Sequence, residues 1–374
     1  MSGRALRGWA LAAWALWCAG AALAQGDDSA RRFTHKDWEL ACDNTRTCRA
    51  AGYQVVESAP SMSAVISPVA MRITRAAGPN TPVAMTLRID VNAVSDRANS
   101  LSTSYRLQVG AVDLRGLTMD RNWLIEFTPA QARIVMTEML KPKVSEALVW
   151  FGDDTSGSPD GRLSLAGLNA VLLKMDEWQG RVGTRGALVR RGGKTESSVL
   201  PSVPMPAVKV ATPVATQPAD ADLAERIFPL LDLTEINCAN KEEIYGKNQI
   251  NAGKLEVNRL TSRRVLLSVS ACSADRLGID LPVPHWIAND KPPYAPQAIE
   301  AVGEFDKKTM SISGGYASGP TFDCWEGKVW HFNGQKFVLT SSISNNDPCR
   351  DFGGWPLENY VARVIPANSN SSKP

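Results

Sequence analysis

Hydrophobic and polar residues alternate along two short runs near the start of the chain, residues 38–42 and 48–52. Alternation with a period of two is typical of a β-strand that buries one face. The intervening residues 43–47 are typical of a turn. The pattern therefore predicts a hairpin centred on Thr45, whose facing pairs are Trp38 with Gly52, Leu40 with Ala50 and Cys42 with Cys48.

Similar runs recur along the rest of the chain. They predict strands at residues 71–74, 84–90, 105–109, 123–127, 255–260, 265–272, 328–332 and 335–339. The last two flank Asn333-Gly334, the dipeptide favoured in type I′ hairpin turns. A two-residue turn there predicts that Trp330 lies opposite Phe337 and His331 opposite Lys336.

Three segments have the pattern of helices. Thr128, Pro129 and Gln131 form a capping-box sequence, and Lys141-Pro142 ends the first helix, whose predicted apolar stripe is Ile134, Val135 and Met139. The second helix is predicted over residues 168–179, where apolar residues recur at helical spacing before Gly180. A short third helix is predicted over residues 223–231.

A proline-rich segment divides the chain. It contains Pro201, Pro204, Pro206, Pro213 and Pro218 among Ala, Val, Thr and Ser, so it is predicted to be an extended linker without a core of its own. We therefore expect an α+β, β-rich protein made of two disulfide-bonded domains, built on antiparallel sheets and joined by this linker. The predicted boundaries are 30–195 for the first domain, 196–220 for the linker, 221–366 for the second domain and 367–374 for a disordered tail.

The N-terminus has the pattern of a secretory signal peptide. Arg4 and Arg7 precede an uncharged apolar run, and Ala22-Leu23-Ala24 offers small residues for cleavage after residue 24. A membrane anchor is the alternative, but the run is shorter than a bilayer span and polar residues follow at once. A lipoprotein site at Cys18 is disfavoured by the bulky Trp17. The pattern predicts a periplasmic or secreted protein, with no membrane span after removal of residues 1–24.

The number of cysteines agrees with export. Seven cysteines less Cys18 in the leader leave six, an even set in a compartment where disulfides persist. We predict the sequence-local pairs Cys42 with Cys48, Cys238 with Cys272, and Cys324 with Cys349. The alternative, a zinc site, requires cysteines two to four residues apart, and this chain has none at that spacing.

Charge limits the class of partner. The 374 residues include 41 basic and 38 acidic side chains; without Arg4 and Arg7 the balance is 39 to 38, a net charge of +1. A nearly neutral chain has no large field for attracting polyanions, so their electrostatic binding is disfavoured as the main activity, and no nucleic-acid partner is expected.

Several motifs carry a resemblance to a known family. Residues 37–53, together with Asp323-Cys324, the tryptophan-bearing hairpin and Cys349, resemble the DUF1176 family of exported bacterial proteins. The first half is also similar, more weakly, to the invasion-associated locus B family through its Trp-x-x-x-Cys start and late Gly- and Leu-rich helix. The resemblance implies export and a disulfide-bonded structure. It implies no known activity, and hence no catalytic residues.

Catalytic motifs are scarce. The histidines are His35, His285 and His331, each in a context typical of a surface or packed residue. Residues 315–319 place the serine one position late for a nucleophile elbow. The sequence indicates no cofactor and no metal site, although the acidic loop 152–161 leaves calcium binding open. Paired carboxylates such as Glu242 with Glu243, or Asp275 with Asp280, leave a glycosidase open as an alternative.

Two features indicate binding. Arg181, Arg185, Arg190, Arg191 and Lys194 lie between Glu177 and Glu196 without an acidic neighbour, which indicates either a solvated edge or a site for an anionic partner. Aromatic residues stand among Gly and Pro in the second half, where they either stabilise chain corners or bind sugars and proteins: Trp286, Tyr294, Tyr316, Trp325, Trp355 and Tyr360.

These observations predict a non-catalytic binding or scaffold protein of the cell envelope. Its partner would be an envelope protein or a glycan. The alternatives are an envelope glycan hydrolase that uses paired carboxylates, and a secreted enzyme inhibitor that presents rigid loops. The sequence does not indicate an oligomeric state.

Overall fold

The computed structural model describes residues 31–54, 69–89, 104–151, 157–233, 255–269, 283–318, 324–345 and 355–367. Within these ranges, no helix is both long and apolar enough to cross a membrane. Several predictions fall outside them: the signal peptide, residues 152–156 of the acidic loop, the carboxylate pairs at 242–243 and 275–280, the tail from residue 368, and three cysteines, Cys238, Cys272 and Cys349. The side chains of Tyr316, Cys324 and Trp325 are also outside the description.

The first half is mainly β-structure. Its elements are β1 (Arg31–His35), β2 (Trp38–Cys42), β3 (Cys48–Tyr53), β4 (Val69–Arg75), β5 (Val83–Ile89), β6 (Tyr105–Val109), β7 (Val112–Leu117), β8 (Leu124–Glu126), α1 (Pro129–Met139), β9 (Glu146–Phe151), β10 (Gly161–Ser164) and α2 (Leu168–Trp178). Two antiparallel sheets result, with strand orders β1-β2-β3-β4-β5-β8 and β10-β9-β6-β7. Their facing surfaces and the apolar sides of α1 and α2 enclose one hydrophobic core.

The first hairpin has the predicted register. Trp38 pairs with Gly52, Leu40 with Ala50 and Cys42 with Cys48, and the two cysteines form a disulfide. The completely buried Trp38 ring lies over Gly52, where any Cβ would overlap the indole. The indole Nε1 donates to the Ser164 carbonyl oxygen at 2.9 Å, which satisfies the one polar atom of the ring. Alternation and turn position alone were therefore sufficient to predict this part of the core.

The two main helices are confirmed, with one correction. The Thr128 hydroxyl accepts from the Gln131 backbone amide, and the Gln131 side chain accepts from the Thr128 amide, so the capping box forms as predicted. The buried residues of α1 include Val135 and Met139, but Ile134 is 46% exposed. Ile134 was wrongly assigned to the stripe because it precedes Val135 directly, and adjacent helix positions point about 100° apart.

The second half contains short helices and further sheets. Its elements are β11 (Ala207–Lys209), α3 (Leu223–Ile227), β12 (Leu255–Arg259), β13 (Arg264–Val269), β14 (His285–Asn289), β15 (Gln297–Ala298), β16 (Glu304–Asp306), β17 (Ser311–Ser318), β18 (Cys324–Phe332), β19 (Phe337–Ser344), β20 (Leu357–Val361) and β21 (Arg363–Ile365). Single 3₁₀ turns occur at Glu196–Ser198, Pro218–Asp222 and Phe228–Leu230.

Two antiparallel sheets organise this half, in the orders β12-β13-β14-β15 and β16-β17-β18-β19-β20. The strand β13 has buried residues on both faces: Val265 and Leu267 face α3, and Leu266 packs against residues of the other sheet, including Trp330. A strand covered on both sides favours a continuous apolar run, which explains the sequence of β13. The predicted β-rich class, with antiparallel sheets and few helices, is confirmed.

The register predicted for the last hairpin is wrong by two residues. Phe332 pairs with Phe337 and Trp330 with Leu339, so the loop has four residues instead of two. The Asn333 side-chain oxygen accepts from the backbone amides of Gln335 and Lys336, both at 2.9 Å. This side-chain turn competes with the two-residue turn that the Asn-Gly pair favours. His331 consequently faces Val338, and not Lys336.

The proline-rich segment is hydrogen-bonded to both halves. The Val203 amide donates to the Thr45 carbonyl at 3.2 Å, and the Ala211 amide donates to the Phe332 carbonyl at 2.9 Å. Strand β11, which belongs to the proline-rich segment, pairs in parallel with β21 near the end of the chain. These contacts follow from the extended backbone that proline imposes, which leaves its remaining amides and carbonyls open to pairing.

Candidate functional site

A cleft of about 780 Å³, lined mainly by polar residues, opens at one end of the first half. One wall is the turn between β4 and β5, residues 79–81, and the other consists of residues 185–186 and 195–197. Arg75, at the end of β4, also lines it. We call this feature the arginine cleft. The arginine cleft lies where the sequence predicted an arginine-rich edge. The segment that follows α2 is not an edge strand but a loop held together by its own backbone hydrogen bonds. The Gly183 amide donates to the Arg190 carbonyl, and the Lys194 amide donates to the Gly183 carbonyl.

Arg181 lies behind the cleft and joins its walls. Its side chain has no exposed surface, so the prediction that it belongs to a solvent-facing edge is wrong. The guanidinium donates to Gln179 Oε1 (2.8 Å), Glu196 Oε2 (3.0 Å), the carbonyls of Ala76 (3.2 Å) and Gly78 (2.6 Å), and Thr81 Oγ1 (2.6 Å). The reason is local: α2 ends at Trp178, and Gly180 adopts a positive φ of 71° that turns the chain back toward the β4–β5 turn.

Glu196 holds the second wall in place. Its Oε1 accepts from the Gly186 amide at 2.9 Å, and its Oε2 accepts from Arg181 and, at 3.4 Å, from the Asn80 amide. Burial acts to raise the pKa of this carboxyl, but hydrogen bonds and the Arg181 charge outweigh it and hold the pKa below its ordinary value. Glu196 is therefore ionised at neutral pH and is part of the wall.

A second buried ion pair, Arg75 with Asp176, lies next to the arginine cleft. Arg75 Nη1 lies 3.5 Å from Asp176 Oδ1, and neither atom has a hydrogen-bond partner. The other carboxylate oxygen of Asp176 accepts from the amides of Leu188 and Val189 at 2.7 and 3.1 Å. Burial and the neighbouring Arg181 charge lower the pKa of Arg75 to about 10, and burial raises the pKa of Asp176. Arg75 still carries its charge at neutral pH.

The remaining basic residues of the loop are on the surface. Arg185, Arg190, Arg191 and Lys194 are exposed, which agrees with the solvated edge that the sequence offered as one of two interpretations of this basic run. Arg191 Nε donates to the Ala187 carbonyl at 3.0 Å. Arg185 lines the cleft, and its guanidinium has no hydrogen-bond or ion-pair partner among the residues that the structure describes. It is thus available to an anionic group entering the cleft.

Sequence reasoning missed the acidic and buried members of this site. Asp176 follows Leu168 and Leu172 at helical spacing of four, so a carboxylate on the apolar stripe of α2 was the available signal. Arg75 gave no such signal, because its partner Asp176 lies about 100 residues later in the sequence. Glu196 ended the basic run, but nothing in the sequence showed that it folds back onto Arg181.

Two of the aromatic residues that the sequence offered as exposed binding residues are buried. Trp286 is 3% exposed in the core beneath α3, and Trp355 is 5% exposed, so neither ring is open to a ligand and both assignments as exposed binding residues are wrong. Strand β14 lies between two neighbours, which buries Trp286. Tyr316 lies in β17 and Trp325 in β18; their role as binding residues stays a prediction.

Trp355 is buried because it packs against the first half of the chain. Its ring lies among Ala41, Ala51, Tyr53, Ala70 and Leu357. The guanidinium carbons of Arg72 and Arg88 lie 4.7 and 5.5 Å from the ring centroid, within the range of cation–π contacts. The Trp355 amide donates to the Tyr53 hydroxyl at 2.9 Å, and this hydroxyl in turn donates to Glu39.

The strand that follows, β20, extends the contact; we call the contact of residues 355–361 with the first sheet the β20 interface. Asn44 exchanges two side-chain hydrogen bonds with the Val361 backbone, at 3.0 and 2.8 Å. Arg49 Nε lies 2.9 Å from a carboxylate oxygen of Glu358, and Arg32 donates to Asn359 Oδ1. The outer face of the first sheet, which carries several arginines, is therefore covered by the end of the chain.

His285 is buried, and both of its ring nitrogens form hydrogen bonds within the second half. His285 is 1% exposed; its Nδ1 lies 2.8 Å from the Ser268 hydroxyl and its Nε2 lies 2.8 Å from the Gly303 carbonyl oxygen. Since a carbonyl only accepts, Nε2 carries the proton and Nδ1 accepts from Ser268. This is the hydrogen-bonding pattern of a nucleophile and base, but both side chains are buried.

Lowering the pH from 7 to 5 should destabilise the fold through His285. Burial lowers the pKa of His285 to about 4, although its bond to Gly303 acts in the opposite direction. An unfolded histidine has a pKa of about 6.5. Between these values the unfolded chain binds a proton that the folded chain does not bind, so stability decreases as the pH falls. The expected contribution of His285 at pH 5 is a loss of about 2 kcal/mol in the free energy of unfolding.

The check is the free energy of unfolding at pH 7 and pH 5 for the wild type, His285→Asn and His35→Asn. His35→Asn removes an exposed imidazole, so its free energy of unfolding should depend on pH as that of the wild type does. His285→Asn should lose less free energy of unfolding than the wild type between pH 7 and pH 5. An unchanged pH dependence in His285→Asn, or an NMR titration of the wild type that gives His285 a pKa near 6.5, would contradict the expectation.

Metal ligation has no support in the described ranges, where His, Cys, Asp and Glu do not form any group of three or more that could hold an ion.

His331 Nδ1 lies 2.8 Å from the Thr340 hydroxyl, which itself donates to the Val329 carbonyl at 3.0 Å. His331 is therefore the donor to Thr340 and contributes to strand pairing.

Comparison with known proteins places the chain in a family. An uncharacterised protein of Escherichia coli K12, YpfG, is 25% identical over 353 residues, which cover 86% of this chain and 90% of YpfG. The crystal structure of invasion associated protein B from Bartonella henselae matches 40% of this chain and 97% of its own, with 17% identity and a TM-score of 0.27. Residues 32–362 match the DUF1176 family, as the motif at residues 37–53 indicated, and the chain therefore belongs to this family of proteins of unknown function.

Proposed function

We propose that this protein is an exported, non-catalytic binding protein of the cell envelope, and that it captures an anionic partner at the arginine cleft. The observation that carries the proposal is the free guanidinium of Arg185 at a cleft whose walls are fixed by the buried Arg181–Glu196 pair. A fixed polar wall with one uncommitted cation is suited to binding, because little ordering is needed when the partner arrives.

The charges around the cleft favour binding over acid–base chemistry. Both carboxylate oxygens of Glu196 accept hydrogen bonds from fixed donors, and Asp176 has no exposed surface, so neither group is placed to exchange a proton with a substrate. The Ser268–His285 pair is enclosed by the second half. The glycosidase alternative depends on carboxylates outside the described residues and stays a prediction.

Export and domain organisation belong to the same proposal. A signal peptide over residues 1–24 would deliver the chain to the periplasm or outside the cell, where the Cys42–Cys48 disulfide would persist. Three hydrophobic clusters support two domains, 30–195 and 221–366 joined by 196–220, since one core lies in the first half and two in the second, while a fourth, smaller cluster around Trp355 joins the halves. The partner proposed is an anionic envelope glycan, in preference to an envelope protein.

Replacing Arg185 with Gln should weaken binding of an anionic polymer about tenfold at low ionic strength, because one charge-assisted hydrogen bond is lost. The measurement is calorimetric titration of the mature protein with polygalacturonate and with dextran sulfate, and neutral dextran serves as the polymer control. Arg133→Gln is the matched variant: Arg133 is an exposed arginine on α1, away from the cleft.

Arg133→Gln should bind both anionic polymers as the wild type does. Equal affinity in Arg185→Gln and Arg133→Gln would overturn the proposal, because binding would then depend on general charge and not on the cleft. Absence of binding to both polymers by the wild type would overturn it as well. Raising the salt concentration should reduce the difference between the variants, since exposed charges are screened.

A further inference from the structure

We infer that the arginine cleft recognises a polyhydroxylated monocarboxylate, the chemistry of an acidic sugar residue. This inference rests on the proposed function and specifies its ligand class. It combines three observations: the net charge at the cleft, the uncommitted polar groups on its walls, and its size.

The charge at the cleft matches a single negative charge. Of the groups that line the cleft, Arg75 and Arg185 carry positive charges and Glu196 carries a negative one, a net charge of +1. The uncommitted cation is Arg185, because Arg75 lies against Asp176 and Glu196 accepts from Arg181. A carboxylate would pair with Arg185 in a bidentate geometry. A second negative charge would approach Glu196, and like charges in a partly buried site repel.

The walls carry groups suited to hydroxyls. The hydroxyls of Thr195 and Ser197 lie 2.5 Å apart, so one donates to the other and a single proton remains for a ligand. The side chain of Asn80 is exposed on the opposite wall, and its carboxamide group, unlike its backbone amide, has no hydrogen-bond partner in the described part of the chain. Together they offer both donors and acceptors within one cleft, and a hydroxyl needs both.

The volume and lining fit one or two sugar rings. About 780 Å³ is within the range of small-molecule sites. Pro79 and the aliphatic parts of the other side chains give the cleft apolar surface on which a sugar ring can pack, and residues 80–81 and 195–197 supply polar groups. Hydrogen bonds to these polar groups would reject an analogue that lacks the matching hydroxyls.

The test is NMR titration of the mature protein with D-glucuronate, acetate, inorganic phosphate and D-glucose. Backbone amide signals from residues 79–81 and 185–197 report the cleft. We expect glucuronate to bind at least about tenfold more tightly than acetate, phosphate or glucose, since only glucuronate satisfies both Arg185 and the hydroxyl-binding groups. Arg185→Gln should lower the glucuronate affinity about tenfold, and Ser197→Ala about threefold.

Ser202→Ala is the control, because Ser202 is exposed and lies outside the cleft; it should bind glucuronate as the wild type does. Equal affinities for acetate and glucuronate, or an undiminished affinity in Ser197→Ala, would show a plain anion site and overturn the inference while leaving the proposed function in place. Phosphate binding at or above the glucuronate affinity would have the same meaning. Absence of saturable glucuronate binding overturns the inference, and the polymer titration then decides separately whether the proposed function stands.

Discussion

Replacing Arg181 with methionine should reduce the free energy of unfolding by about 3–5 kcal/mol, because the change removes one partner of a buried ion pair. Glu196 would keep its charge in a largely buried position, with its amide donors but without a cation. The carbonyls of Ala76 and Gly78 and the side chain of Gln179 would also lose their donor. Buried acceptors without partners add to the loss.

Three further variants test this explanation. Arg185→Met makes the same chemical change four residues along, at an exposed side chain, and should alter the free energy of unfolding by less than about 0.5 kcal/mol. Arg181→Lys keeps the charge but loses the planar fork that reaches both walls, so an intermediate loss is expected. The double variant Arg181→Met, Glu196→Gln should be more stable than Arg181→Met alone, since no buried charge is left unpaired.

Denaturant unfolding of the four variants is the measurement. Similar midpoints and slopes for Arg181→Met and Arg185→Met would contradict the structural role assigned to Arg181. A double variant no more stable than Arg181→Met would show that the lost hydrogen bonds, and not the unpaired carboxylate, dominate. Because Arg181 fixes both walls, Arg181→Lys should also weaken glucuronate binding, although Arg181 itself does not line the cleft.

The parts of the fold predicted correctly depend on neighbours in the sequence. The register of the first hairpin follows from alternation and from the position of its turn, and the α1 capping box lies within four residues. The last hairpin shows the limit of such reasoning. Its turn dipeptide favoured two residues, but the Asn333 side chain forms competing bonds, so the loop lengthens by two.

The candidate site could be predicted only in part, for a similar reason. Exposure of Arg185, Arg190 and Arg191 follows from a charged, glycine-rich segment after a helix. Burial of Arg181 does not, because it depends on carbonyls in the β4–β5 turn about 100 residues earlier. Trp355 is the extreme case: the hydroxyl that accepts from its amide belongs to Tyr53, 302 residues away. Local pattern cannot distinguish such a ring from an exposed one.

Replacing Trp355 with alanine should lower the free energy of unfolding by about 3–5 kcal/mol and uncouple the two halves of the chain. The loss follows from a cavity where a large ring was packed, together with two broken cation–π contacts. Arg72 and Arg88 would then face an empty space on the first sheet. Since β20 remains hydrogen-bonded to β19, the second half should keep its sheet while its contact with the first half weakens.

Calorimetry distinguishes this uncoupling from a simple loss of stability. The wild type should unfold in one transition, because the β20 interface links the cores of both halves, whereas Trp355→Ala should show two transitions. Trp123→Ala is the control: it removes the same side chain from a 36% exposed position and should leave one transition and nearly the wild-type midpoint. Trp355→Phe keeps an aromatic face for Arg72 and Arg88 and should restore a single transition. Two transitions in the wild type itself, or one in Trp355→Ala with the midpoint of Trp123→Ala, would mean that Trp355 does not hold the halves together.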